Sequence, residues 1–148
     1  MTSLHETTLW RIIDRISTLP HYDQQTVGGL FNVELDELAD GGNDVFRFFK
    51  SQRDIQLKDV KVTLIDLRVN RDNIHPGFLV LRVGDGCVPV ADVRQRYPDI
   101  RITDVPRGRS LDEVTSYSVH QPWGKLSFSF KVRSPDCLAG VSFDPVRR

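Results

Sequence analysis

The segment "KLSFSFKV" (125–132) constrains this chain more than any other. Leu126, Phe128, Phe130 and Val132 fall on one side of an extended backbone. Lys125, Ser127, Ser129, Lys131 and Arg133 fall on the other. Strict alternation of this kind belongs to an antiparallel strand with one buried and one wet face, because successive side chains point to opposite sides. Two further extended segments flank it, "VTSYSVH" (114–120) and "LAGVSFD" (138–144), and Pro122-Trp123-Gly124 makes the turn between the first pair.

The earlier chain adds helices and more strands. Ser3 and Glu6 have capping-box spacing, and Leu9, Ile12, Ile13, Ile16 and Leu19 recur at three and four. This predicts an amphipathic helix over 4–19, stopped by Pro20. Asp23 caps a second short helix, about 24–30, ended by Gly28-Gly29, and the two form a helical hairpin. Residues 32–38 read as short strand or loop, and "ADGGND" (39–44) as a turn. Strands are expected at 45–51, 61–69 and 78–83, with Val62, Leu64, Asp66 and Arg68 sharing one face of the second. Pro89 opens a third helix that Pro98 closes, "IRI" (100–102) is a short strand, and 103–113 is an exposed loop.

Strands in runs, separated by helices, imply α+β architecture and not a parallel βαβ sheet. The expectation is one domain over 1–148, an antiparallel meander with helices packed on one face. Its helix–sheet order is loosely repeated in two halves. The length of 148 residues suits a single domain.

Charge excludes some functions. Twenty bases balance 20 acids, against the basic excess of a nucleic-acid binder or a polybasic membrane-surface protein. No apolar run reaches the roughly 18 residues of a membrane span. The balance is uneven along the chain: residues 1–40 carry seven acids and two bases, and residues 94–148 carry ten bases and six acids. Such polarity steers a charged partner or forms ordinary solvated faces.

Cys87 and Cys137 are the two cysteines. They form one disulfide in an oxidising compartment, or remain two reduced thiols. They do not make a four-ligand zinc site, and the histidines show no metal-ligand spacing, so neither metal nor cofactor is expected. Cys87 also precedes the third helix, where a helix N-terminus lowers a thiol pKa, and His120 lies on a later strand as a possible base. That order resembles papain-like and NlpC/P60 cysteine peptidases, although the neighbours "GDGCVPV" lack their small or polar motif.

Three polar loops are candidates for recognition: 39–44, 70–77 with Asn73 and His75, and 103–113 with Arg107 and Arg109 flanking Gly108. Arginine pairs bidentately with carboxylates and is enriched at hot spots. Trp123, at a hairpin tip, is either an exposed anchor or a ring folded back over the sheet.

The segments "LHETTLWRIIDRIS", "HYDQQTVGGLFNVEL", "GFLVLRVGDGCVPVADVRQRYPDI" and "WGKLSFSFKVRSPDCLAGVSF" together resemble small bacterial immunity proteins, particularly those guarding against type VI secretion effectors. The helix–meander order is also similar to beta-lactamase inhibitor proteins and the BamE-like envelope fold. The resemblance implies stoichiometric inhibition of a cognate toxic effector, such as a cell-wall hydrolase, by occlusion of its active site. Partner-binding positions would be Arg107, Arg109, Asn73, His75 and Trp123, in a 1:1 or 2:2 complex that leaves a homodimer open. The alternatives are a non-catalytic envelope scaffold and a cysteine hydrolase using Cys87 and His120. The opening residues do not read as a signal peptide, since Glu6, Arg11 and Asp14 interrupt the apolar core. The expected location is therefore the periplasm for a mature form without its leader, and otherwise the cytoplasm.

Overall fold

The computed structural model describes residues 4–39, 41–72 and 76–146. They form three α-helices and one antiparallel sheet of nine strands. The helices are α1 (Leu9–Ser17), α2 (Gln24–Phe31) and α3 (Val90–Arg96). The strands are β1 (Asp36–Glu37), β2 (Phe46–Ser51), β3 (Ile55–Gln56), β4 (Lys61–Asn70), β5 (Phe78–Gly84), β6 (Arg101–Asp104), β7 (Val114–Gln121), β8 (Gly124–Lys131) and β9 (Leu138–Pro145). Across the sheet they run β1-β2-β4-β5-β9-β8-β7-β6, with β3 beside β4. The chain thus makes two meanders, each after a helical opening. They join through their last strands, where Leu79 faces Phe143 and Leu81 faces Val141.

The first helix starts later than the sequence suggests. Leu4–Glu6 is a separate 3-10 turn, and Ser3 lies outside the described residues. The N-cap of α1 is Thr8, whose hydroxyl accepts from the Arg11 amide at 3.2 Å. Asp59 captures a second free amide, that of Leu9, at 3.0 Å. The anticipated stripe is otherwise intact, with Leu9, Ile12, Ile13 and Ile16 fully buried.

In α2 the expected Asp23 cap is present, completed by the Thr26 side chain. The pair Gly28-Gly29 lies inside the helix and does not end it. Asn32, in the left-handed conformation at φ 53°, ends it instead. Gly28 answers to packing: a Cβ there would sit 2.6 Å from the Val33 carbonyl oxygen.

The face assignment of β4 also shifts. A register irregularity between Val62 and Leu64 inserts one residue. Val62, Ile65 and Leu67 point into the core, while Leu64, Asp66 and Arg68 do not. In β8 the alternation holds from Gly124 to Lys131, with Leu126, Phe128 and Phe130 buried, whereas Val132, expected on the same face, lies past the end of the strand and is exposed.

The buried side chains of the helices form one apolar cluster with the inward residues of β4, β5, β8 and β9. Phe128 lies at a junction within it. Its ring is 5.9 Å from that of Trp10 in α1 and 5.6 Å from that of Tyr97 after α3. Arg96 and Asp14, 2.8 Å apart, tie α3 to α1 at the surface. Cys87 and Cys137 form a disulfide between the segment entering α3 and the segment entering β9. No helix among the described residues is long and apolar enough to cross a membrane.

Candidate functional site: a hydroxyl-floored sheet face and a clamped loop

The outward sides of β5, β9, β8 and β7 carry mostly small residues. In register across the sheet lie Val80, Ser142, Ser127 and Ser118, and in the next row Arg82, Gly140, Ser129 and Ser116. The hydroxyls link laterally. Thr103 Oγ1 is 2.8 Å from Ser118 Oγ, which is 2.7 Å from Ser127 Oγ. The serine side chain is short, so serines paired across neighbouring strands leave a low floor in place of a packed face. The result is two adjoining open troughs, of about 370 Å³ towards Lys125 and Asp144 and about 870 Å³ towards Arg82, Lys131 and Arg133. The alternate serines of "SYS" and "SFS" were the sequence signal for this floor. Arg82, on its surface, gave none.

The larger trough ends against the loop of residues 105–113, and the chain organises that loop with two acidic side chains. The Glu113 carboxylate accepts backbone hydrogen bonds from Arg107, from Arg109 at 2.7 Å and from Ser110 at 3.1 Å. Those amides, Arg107 first, hold its carboxyl below the usual glutamate range. Asp112 accepts from Arg133 Nε at 2.8 Å and lies 3.7 Å from Lys131 Nζ, and its carboxyl is lowered chiefly by Arg133. Two backbone bonds, Val132 N–H to Glu113 and Arg133 N–H to Leu111, seal the loop against the end of β8. What the loop then shows to solvent is Arg107, Arg109, Val105 and Leu111, the last two more than half exposed.

Both carboxyls are depressed in the fold, so the stabilisation they give is complete above their unfolded pKa values. It disappears as pH falls through the folded ones. The amide resonances of Arg107, Arg109 and Ser110 are therefore expected to titrate together, with a midpoint below the ordinary glutamate value. In Glu113→Gln that shared titration should vanish. A midpoint at or above the ordinary value would contradict the clamp.

The other expected site residues fall elsewhere. Asn73 and His75 lie outside the described residues. The Trp123 ring sits 5.9 Å from that of Phe143, half-buried against the core at the β7–β8 turn. Gly124 makes that turn possible. Its φ of 151° suits glycine, and a Cβ would come within 2.3 Å of the Asp144 carbonyl oxygen. Cys87 is spent in the bridge and offers no thiolate. His120 pairs with Lys125 at the far end of β7, about six residues or roughly 20 Å along the strand from Val114 at the disulfide end. The nucleophile–base pairing of Cys87 with His120 is thus excluded in this fold. The described residues bring no three of His, Cys, Asp and Glu together as metal ligands.

The chain matches no protein-family model, no curated protein and no solved structure.

Proposed function

We propose that the protein is an immunity-type inhibitor, which binds a cognate toxic effector enzyme and occludes its active site, the target being a cell-wall hydrolase. In this reading the helices cover one face of the sheet only, and the loop at the end of the bare face enters the enzyme. The observation that carries it is the Glu113 clamp. A loop whose backbone is already fixed by three hydrogen bonds loses little conformational freedom on docking. It displays two arginines whose guanidinium groups have no ion pair among the described residues, next to exposed valine and leucine. Arginine is enriched at interface hot spots, and the exposed valine and leucine add apolar area around it. The disulfide is compatible with an oxidising compartment such as the periplasm, and that is the location proposed.

The test takes as candidate effector a cell-wall hydrolase encoded beside the gene for this chain. Mixed with the purified protein, it should form a 1:1 or 2:2 complex and lose its activity. Arg107→Glu with Arg109→Glu should weaken that complex at least about 30-fold, the effect of one hot-spot residue, with an unchanged melting temperature. A hydrolase that stays active and unbound at micromolar concentrations would overturn the proposal.

A further inference from the structure

The trough beside the loop has a feature that occlusion by the loop does not use. Arg82 stands on its floor, exposed, with no hydrogen bond or ion pair to its guanidinium among the described residues. The neighbouring charged groups each have a partner. Lys131 and Arg133 lie on Asp112, and Asp85 pairs with Lys61 at 2.9 Å. Across from Arg82 in the register is Gly140, and beyond it Ser129. With no side chain at Gly140, nothing rises between the guanidinium and the serine hydroxyl. The trough is about 870 Å³, room for several residues of extended chain. Its lining includes Arg82, Lys131 and Arg133 against Asp85 and Asp112, an excess of one base. Because Lys131 and Arg133 share the one carboxylate of Asp112, while Asp85 is balanced by Lys61, the unmatched charge is Arg82 together with one cation of the Asp112 cluster.

The geometry points to a carboxylate seat: Arg82, with the hydroxyls of Ser129 and Ser142, receives an acidic side chain on an extended segment of the partner protein. The assignment rests on the inhibitor reading and adds the chemistry of the bound segment. A planar guanidinium pairs bidentately with a carboxylate, and adjacent hydroxyls donate to its remaining lone pairs. The Asp112 cluster keeps a net positive charge, since it holds two bases on one acid, and so adds to the attraction for a carboxylate without a free guanidinium of its own. A partner surface lacking an acid would leave Arg82 covered and unpaired, which disfavours the wrong partner.

Hexaglutamate is the probe, added to the full-length oxidised protein at low salt and followed by amide shifts. Saturable shifts at Arg82, Ser129 and Gly140 are expected, with none from hexalysine. Arg82→Glu should weaken binding at least tenfold at an unchanged melting temperature, and Arg82→Gln serves if that variant does not fold. Arg107→Glu with Arg109→Glu should bind hexaglutamate as the wild type does. Absence of shifts at the three amides, equal binding by the Arg82 variants, or shifts confined to residues 105–113 would each overturn the seat. Failure of the inhibitor reading would show instead as an unbound neighbouring hydrolase, whatever hexaglutamate does.

Discussion

Replacing Cys87 and Cys137 by serine is expected to remove about 4 kcal/mol of stability, by the chain-entropy estimate for a loop of this length. The sequence separation is 50 residues. The enclosed stretch contains α3, β6, β7 and β8. In the unfolded oxidised chain that stretch is already a closed loop; in the serine variant it is free, and folding must order it from a much larger ensemble. For a chain of this size each kcal/mol moves the melting temperature by roughly 2–4 °C. The double variant, or the wild type in excess reductant, should therefore melt about 8–16 °C lower by near-ultraviolet circular dichroism. A decrease of less than about 3 °C would show that the bridge contributes little. The same measurement bears on location, since a domain that depends on its bridge needs an oxidising compartment.

Phe128→Ala should be about as costly, for a different reason. Phe128 is fully buried and holds Trp10 and Tyr97 on its ring. Truncation removes the apolar area and leaves a cavity that three separate elements cannot jointly close, so a loss of roughly 3–5 kcal/mol is expected. Urea unfolding at 25 °C should show a lowered midpoint with little change in slope. A midpoint within error of the wild type would mean that α1 and α3 are not held through this contact. The tryptophan emission of Trp10 should also shift to the red in the folded variant as water reaches its ring.

Local pattern made much of this fold legible. The alternation of 125–132 placed β8 and its buried face, and Leu9, Ile12, Ile13 and Ile16 placed the inner side of α1. The errors arose where a distant group changed the local outcome. Asp59, 50 residues from Leu9, helps fix where α1 begins, and no capping rule sees it. The register irregularity in β4 depends on how β5 pairs, so counting by twos from Val62 put Leu64 on the wrong side. Gly28 looked like a helix stop, yet it is required by the close passage of Val33.

The candidate site was half visible. The loop with Arg107 and Arg109 stood out by composition, but Glu113 as the residue that fixes it did not, because glutamate at the end of a loop has no distinguishing signal. The hydroxyl floor comes from serines of β7, β8 and β9 brought into register. Arg82 meets them only because β5 lies beside β9, and that pairing joins residues about sixty positions apart.

That pairing also governs when the molecule comes into being during synthesis. Until β9 has left the ribosome, β5 is an open strand edge at the border of an unfinished first half, and β8 is another. The last strand closes both at once. Formation of the whole sheet thus waits on a single non-local pairing, the slow kind of step in folding. The unfinished protein meanwhile carries two exposed templates for wrong pairing.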